Sequence, residues 1–268
     1  MPRVLFIGDL VGRPGRTFVS KNIDALKRHA GADILVANAE NAAGGFGLTA
    51  PIAKELTEAG LDGLTLGNHI WDHAGFDQDI DHLERVCRPA NLPDQCPGKP
   101  YLIIEKDGFR LGVITVLGTH FMNIKASCPF KKADDLMREL EGQVDAFLVE
   151  MHAETTAEKM GLGWFLDGRA ALVVGTHTHV PTADGRILPR GTAYLTDAGM
   201  TGPYDSIIGC TIEPIIAKLQ DGMPRRYVVA SDNVQLWGCA VDIDPKTGLA
   251  THFESVCIKE NDWGPAFV

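Results

Sequence analysis

The sequence predicts an α/β fold whose strands present polar residues at their carboxyl ends. Three observations predict it. Over the first third, short apolar, β-branched runs alternate with stretches of helical spacing. Each of those runs closes on a polar cluster: Gly8-Asp9, then Asn38-Ala-Glu40-Asn41, then Gly67-Asn68-His69. Much later the run Ala170-Ala-Leu-Val-Val174 ends the same way, in Gly175-Thr-His-Thr-His179. Open α/β sheets bind their ligands at that end of the strands.

The elements follow in order. Residues 4–7 form an apolar strand closed by Gly8-Asp9. Residues 17–30 carry Phe18, Ile23 and Leu26 at helical spacing, and Gly31 stands where helices terminate. A second strand, 33–37, finishes in Asn38-Ala-Glu40-Asn41, and Gly44, Gly45 and Gly47 make a bent loop. Thr49 is placed to cap a helix through Ala59, with Pro51 accommodated in the first turn. A third strand, 63–66, ends in Gly67-Asn68-His69. The polar segment 76–86 predicts a helix. After a Pro-rich stretch, 101–105 and 110–117 read as a hairpin turned at Asp107-Gly108. Residues 122–130 read as loop, 131–141 as a solvated helix, and 146–150 as a strand followed by Met151-His152. The final third is expected to be β-rich, over 186–188, 192–196, 225–230 and 235–243. With no repeat, low-complexity tract or linker, one domain is expected over 1–268.

The chain has 268 residues, 45% of them hydrophobic and 22% charged, which is ample for a core. A formal net charge of −10 argues against a surface that coats nucleic acid. An anionic substrate therefore needs strong local positive charge. The six cysteines (Cys87, Cys96, Cys128, Cys210, Cys239, Cys257) show no metal or disulfide spacing and fit reduced thiols. A strand beginning at Val4 leaves no room for a signal peptide, and no apolar run is long enough to cross a membrane. A cytoplasmic protein without a membrane partner is expected.

His177 and His179 are two residues apart. On extended backbone that spacing sends both imidazoles to one side. Together the strand ends offer two carboxylates (Asp9, Glu40), two amides (Asn41, Asn68) and three imidazoles (His152, His177, His179), with His69 left over. That is too many donors for one ion and about right for two if a carboxylate bridges. Nitrogen and oxygen donors without thiolate favour iron or manganese and allow zinc. Two divalent ions against two carboxylates leave a core of roughly +2, suited to phosphate. Such ions about 3.5–4 Å apart lower the pKa of a shared water for in-line attack, and His69 is the group left to protonate the leaving alkoxide. Singly, each residue has a plainer role: Asp9 as a helix cap, Asn41 and Asn68 as turn formers, Glu40 as a loop charge, His69 and His152 as structural histidines. Five coincident strand-end placements outweigh those roles. His29, His73, His82, His120 and His252 are expected to be structural. Arg13 and Arg16, beside Asp9, are candidates to touch phosphate.

Gly8-Asp9, Gly67-Asn68-His69, His152 and Gly175-Thr-His-Thr-His179, in that order, resemble the calcineurin-like metallophosphoesterase superfamily. Phe6-Ile-Gly-Asp-Leu-Val-Gly-Arg-Pro-Gly15, Ala39-Glu-Asn-Ala-Ala-Gly-Gly45 and Thr196-Asp-Ala-Gly-Met-Thr-Gly-Pro-Tyr204 are similar to its YmdB-like branch over essentially the whole chain. Val11 stands where most of the superfamily has a histidine, and Glu40 where most has a bridging Asp. The YmdB-like branch shares both departures. The resemblance implies a four-layer α/β/β/α sandwich. It also implies one metal held by Asp9, Glu40, Asn41 and His179, and a second by Glu40, Asn68, His152 and His177, with His69 as proton donor. It implies phosphodiester hydrolysis with 2′,3′-cyclic nucleotides as substrates, which neither composition nor spacing indicates.

A nucleotide or small phosphodiester is thus the expected partner, with RNA an indirect target and a homo-oligomer the expected assembly. The loops 123–130 and 199–204 are expected to line the nucleotide side, with Tyr204 a candidate for stacking on the base. Asp72, three residues beyond His69, is placed to hold its ring.

Overall fold

The structure, a computed structural model, describes residues 1–259. The chain first lays down β1 (Arg3–Ile7), the two-residue β2 (Asp9–Leu10), α1 (Gly12–Ala30), β3 (Ile34–Asn38), α2 (Ala50–Ala59) and β4 (Gly63–Thr65). A short α3 (Phe76–Asp79), continued by a 3-10 turn, leads to β5 (Val86–Cys87). The second half builds β6 (Leu102–Lys106), β7 (Phe109–Leu117), α4 (Pro129–Glu139), β8 (Ala146–His152), α5 (Thr156–Phe165), β9 (Leu172–Thr176), β10 (Arg186–Ile187) and β11 (Ala193–Leu195). Then β12 (Met200–Pro203), α6 (Ile212–Asp221) and the long hairpin of β13 (Val234–Asp244) and β14 (Leu249–Lys259) return to the first sheet.

Side-chain alternation along the central strands creates the layers. Leu5, Ile7, Leu35 and Ala37 pack outward with Phe18, Val19 and Leu26 of α1 and Leu56 of α2. Their neighbours Val4, Phe6, Ile34 and Val36 face the other way, against Leu111, Val113, Leu148, Leu172 and Val174 of the second sheet. On that sheet the remaining side chains, Ile114, Val116, Val149, Met151 and Val173, meet Leu136 and Met137 of α4 and Leu162 of α5. The result is the four-layer α/β/β/α sandwich, with an apolar slab between two sheets and a further apolar layer under each helical face. The first sheet runs β2-β12-β13-β1-β3-β4-β5, with β14 on β13, and the second runs β10-β11-β9-β8-β7-β6. Within them β1, β3, β4 and β5 are mutually parallel, as are β7, β8, β9 and β11. The parallel strands carry the polar clusters at their carboxyl ends.

Several elements differ from the sequence expectation. The first helix begins at Gly12, because Pro14 is tolerated in a first turn where its missing N–H has no partner to lose. Thr49 stands at the start of α2 in extended backbone, but its side chain makes no capping hydrogen bond. The expected helix over 76–86 stops at His82, and Val86–Cys87 instead adds a parallel strand beside β4. Residues 225–230 form no strand and pair only through an isolated Cys210–Val229 bridge. The β-rich final third contains a helix, α6. The loop expected at 199–204 is largely β12, buried along its length.

Candidate metal centre

The first sheet supplies oxygen. Asp9 follows β1 directly and is fully buried. Its Oδ2 accepts the His177 N–H at 3.1 Å, while its Oδ1 is buried without a hydrogen-bond partner. Beyond β3, the Asn38 side chain turns the chain by accepting the Glu40 N–H at 2.9 Å. Glu40 then lies at the middle of the cluster. Its Oε1 is 3.1 Å from His152 Nε2 and 3.2 Å from Asn41 Nδ2, and its Oε2 accepts the His69 N–H at 3.1 Å. Asn41 Nδ2 is also 3.0 Å from His179 Nε2, and Asn41 Oδ1 is buried with no partner. Past β4, Asn68 Oδ1 lies 2.9 Å from His152 Nε2. Gly67 makes that approach possible, since a Cβ there would overlap Glu40 Oε2 and His152 Nε2.

The second sheet supplies nitrogen, and each imidazole is tied by its outer nitrogen so that the inner one faces the centre. His152 ends β8, and its Nδ1 is 2.9 Å from Thr176 Oγ1, whose own hydrogen goes to Glu150 Oε1 at 2.6 Å. Glu150 is fully buried, and Asn38 Nδ2 and Thr115 Oγ1 also donate to it. His177 Nε2 is 3.1 Å from Glu154 Oε2, leaving Nδ1 3.1 Å from His152 Nε2. His179 Nδ1–H donates to the Ile208 carbonyl at 3.0 Å. The expected extended backbone over this pair is not what forms. His177 and His179 both adopt positive φ, 95° and 64°, which costs about 1–3 kcal/mol per residue and persists only where surrounding contacts over-determine it.

Electrostatics point the same way. Burial and the neighbouring Glu40 carboxylate push Asp9 well above the usual range, despite the opposing pull of His152. Burial would also raise Glu40, but the charge and hydrogen bond of His152 outweigh it and hold Glu40 at about 2. Burial would lower His152, yet Glu40 lifts it to about 9. Burial, reinforced by the His152 charge, takes His177 down to about 3, and burial lowers His179. A proton on His152 is thus the cation that balances the cluster. Two imidazole nitrogens 3.1 Å apart, facing a carboxylate, call for a shared positive charge. Ligating atoms of Glu40, His152 and His177 lie within 4.8 Å of one another. Together with the orphaned oxygens of Asp9 and Asn41, this donor set fits metal ions.

The seven donors expected from the sequence lie in one connected network, within which Glu40, His152 and His177 bring ligating atoms within 4.8 Å of one another. His69 stands at the rim, partly exposed, with Nδ1 2.7 Å from Asp72 Oδ2 and its ring edge-on to Phe46 at 5.0 Å. Arg16 is occupied elsewhere, donating to the Ala42 carbonyl at 3.0 Å. Tyr204 is a packing residue. Its hydroxyl donates to the Met200 carbonyl at 3.1 Å and its ring lies against Trp237. Sequence reasoning missed Gly67, Glu150, Thr176 and Asp197. A charge inside the apolar run 146–150 was the available signal for Glu150.

The family model for YmdB-like proteins matches residues 5–256. The chain belongs to the YmdB-like family. Among YmdB-like relatives, it is 44% identical to a 2′,3′-cyclic-nucleotide 2′-phosphodiesterase of Bacillus subtilis, over 97% of this chain and 98% of the relative. A crystal structure of a hypothetical protein from Thermus thermophilus superposes with a TM-score of 0.89 at 40% identity, covering 96% of this chain and 99% of that one. A novel phosphatase from Mycoplasma pneumoniae matches with a TM-score of 0.88 at 33% identity, over 99% and 95% of the two chains. Among the described residues no helix is long and apolar enough to cross a membrane.

Proposed function

We propose that this YmdB-like chain is a two-metal phosphodiesterase acting on 2′,3′-cyclic nucleotides. The observation that carries it is the convergence of three tethered imidazoles and Glu40 beside two buried oxygens, on Asp9 and Asn41, that have no protein partner. Asp9, Glu40, Asn41 and His179 would hold one ion, and Glu40, Asn68, His152 and His177 the other, with Glu40 shared. The mixture of oxygen and nitrogen donors selects iron or manganese, with zinc permitted. When bound, such a pair offsets phosphate charge and makes water more acidic.

The chain's own residues do the rest. The buried Asp9, Glu40 and His152 form the floor of the site, and His177 and His179 are partly exposed above it. His69 sits at the edge of that floor. Its Nδ1 is taken by Asp72, which leaves Nε2 for the substrate. From there it hands a proton to the departing ribose oxygen, a poor leaving group without one. Such assistance is worth about 10²–10⁴ in rate. The Glu40 contact with the His69 N–H couples the acid's backbone to the metal-binding carboxylate. Proposed with this activity are one domain over the chain, a homo-oligomer, a cytoplasmic setting and RNA as an indirect target.

Purified protein supplied with Mn²⁺ should turn over 2′,3′-cyclic AMP and bis-p-nitrophenyl phosphate and leave AMP intact. Elemental analysis should find close to two transition-metal ions per chain. Hydrolysis of AMP alone would make the enzyme a phosphomonoesterase, and binding of 2′,3′-cyclic AMP without turnover would make it a regulator.

A further inference from the structure

Left-handed backbone at His177 and His179 needs a cause, and it lies beneath the loop. Asp197 follows β11, the parallel neighbour of β9, and so rises beside Thr176. It is fully buried. Its Oδ2 accepts both the Thr178 N–H at 3.2 Å and the Thr178 hydroxyl at 2.6 Å. The same residue's N–H donates to Thr182 Oγ1 at 2.9 Å, and its carbonyl accepts the Thr182 N–H at 3.1 Å. Both ends of the segment 178–182 are therefore fastened to one residue, with His179 between them. The Asp197 Oδ1 accepts the Gly199 N–H at 2.8 Å, which fixes the carboxylate from the far side.

A buried carboxylate beside a metal cluster would compete for the cations unless its charge were cancelled. Lys159 of α5 does this, with Nζ 2.7 Å from Asp197 Oδ2 and both side chains almost wholly inaccessible. The lysine stem passes under Gly175, where any Cβ would collide with its Cδ and with the Thr196 carbonyl. We propose that Thr178 and the buried Asp197–Lys159 pair are a positioning device that forces His177 and His179 into the strained backbone from which they reach the metals. It rests on the ligand assignment made above. Thr178 itself touches neither metal nor substrate and acts through its two neighbours.

Removing Asp197 or Lys159 would strand a buried charge and threaten folding, so the test uses Thr178. Thr178→Val keeps the shape and the buried ion pair but deletes the hydroxyl. Mn²⁺ binding by calorimetry should weaken about ten- to a hundredfold, the usual effect of losing a residue that orients a ligand. The Tm of the metal-free protein should stay near the parent's, and Thr178→Ser should restore the affinity. Unchanged Mn²⁺ affinity in Thr178→Val, or a loss that Thr178→Ser does not rescue, overturns the positioning role and leaves the ligand assignment standing. A parent protein that takes up no Mn²⁺ overturns both.

Discussion

The two sheets build their halves of the centre by different means. Asp9 opens β2, and Glu40, Asn41 and Asn68 stand in short turns beyond strands of the first sheet, where the His69 N–H holds the Glu40 carboxylate and the missing side chain of Gly67 gives it room. The second sheet's imidazoles each have a dedicated acceptor on the outer ring nitrogen: buried Thr176 with Glu150 for His152, exposed Glu154 for His177, and the Ile208 carbonyl for His179. The difference follows from the donors. A carboxylate presents equivalent oxygens and binds a cation from many directions, whereas an imidazole must have the right tautomer and one ring orientation. The carboxylate donors are thus held by single backbone N–H groups, the nitrogen donors by one acceptor on each outer ring nitrogen.

Perturbing one half at a time breaks or sharpens that contrast. The largest effect is expected from Glu40→Gln, which removes the charge that faces both sides of the cluster. Turnover of 2′,3′-cyclic AMP should fall by about 10³ or more, the scale of a principal electrostatic contribution. Asn41→Ala, which deletes one neutral oxygen, should lose much less. Equal, mild losses in the two variants would show that Glu40 is not shared. Next comes His69→Gln, outside both halves. It should retain two metals and lose about 10²–10³ in rate on 2′,3′-cyclic AMP. With bis-p-nitrophenyl phosphate, whose leaving group needs no proton, the loss should be far smaller. Loss of a metal would move His69 into the cluster.

The smallest effect is a proton count. In the metal-free protein His152 is raised to about 9, so it carries its proton at pH 7 to 8. The sign is fixed: a raised histidine pKa stabilises the metal-free fold below about 6.5, and that contribution is lost as pH climbs through about 9. A metal must displace the proton, so Mn²⁺ binding should release it and tighten as pH rises. Calorimetry at pH 7.5 in buffers of different ionisation enthalpy reads the release directly. Binding heats that do not depend on the buffer would mean that His152 is already neutral.

Much of this centre was legible because an apolar strand followed at once by a polar, ionisable residue is hard to explain otherwise. Asp9, Glu40, Asn68, His152 and His177 all stand within three residues of such a run. The supporting layer was harder to see. Asp197 and Lys159 meet only because β11 lies beside β9 under α5, a juxtaposition no local pattern encodes. The helix α5 itself was obscured by Gly161 and Gly163. The second is required because any side chain there would strike the Tyr194 ring. In α6, Pro214 resembles a breaker and masks the helical spacing of Ile212, Ile215, Ile216 and Leu219, of which only Ile215 is buried. The paired histidines were found, but with the wrong backbone. Spacing reports sequence distance, and the left-handed turn depends on the tertiary contacts of Thr178.

The bond from the His177 N–H to Asp9 spans 168 residues of chain, and the Asn41–His179 contact spans 138. In polymer terms the centre closes long loops, and their closure entropy is met only once both sheets exist. The cluster is therefore a late event in folding. A nascent chain that has emerged only through β5 carries the oxygen donors without His152, His177 and His179 and holds no complete cage for a metal ion. Capture of the metals waits until the fold that will restrain them is already in place.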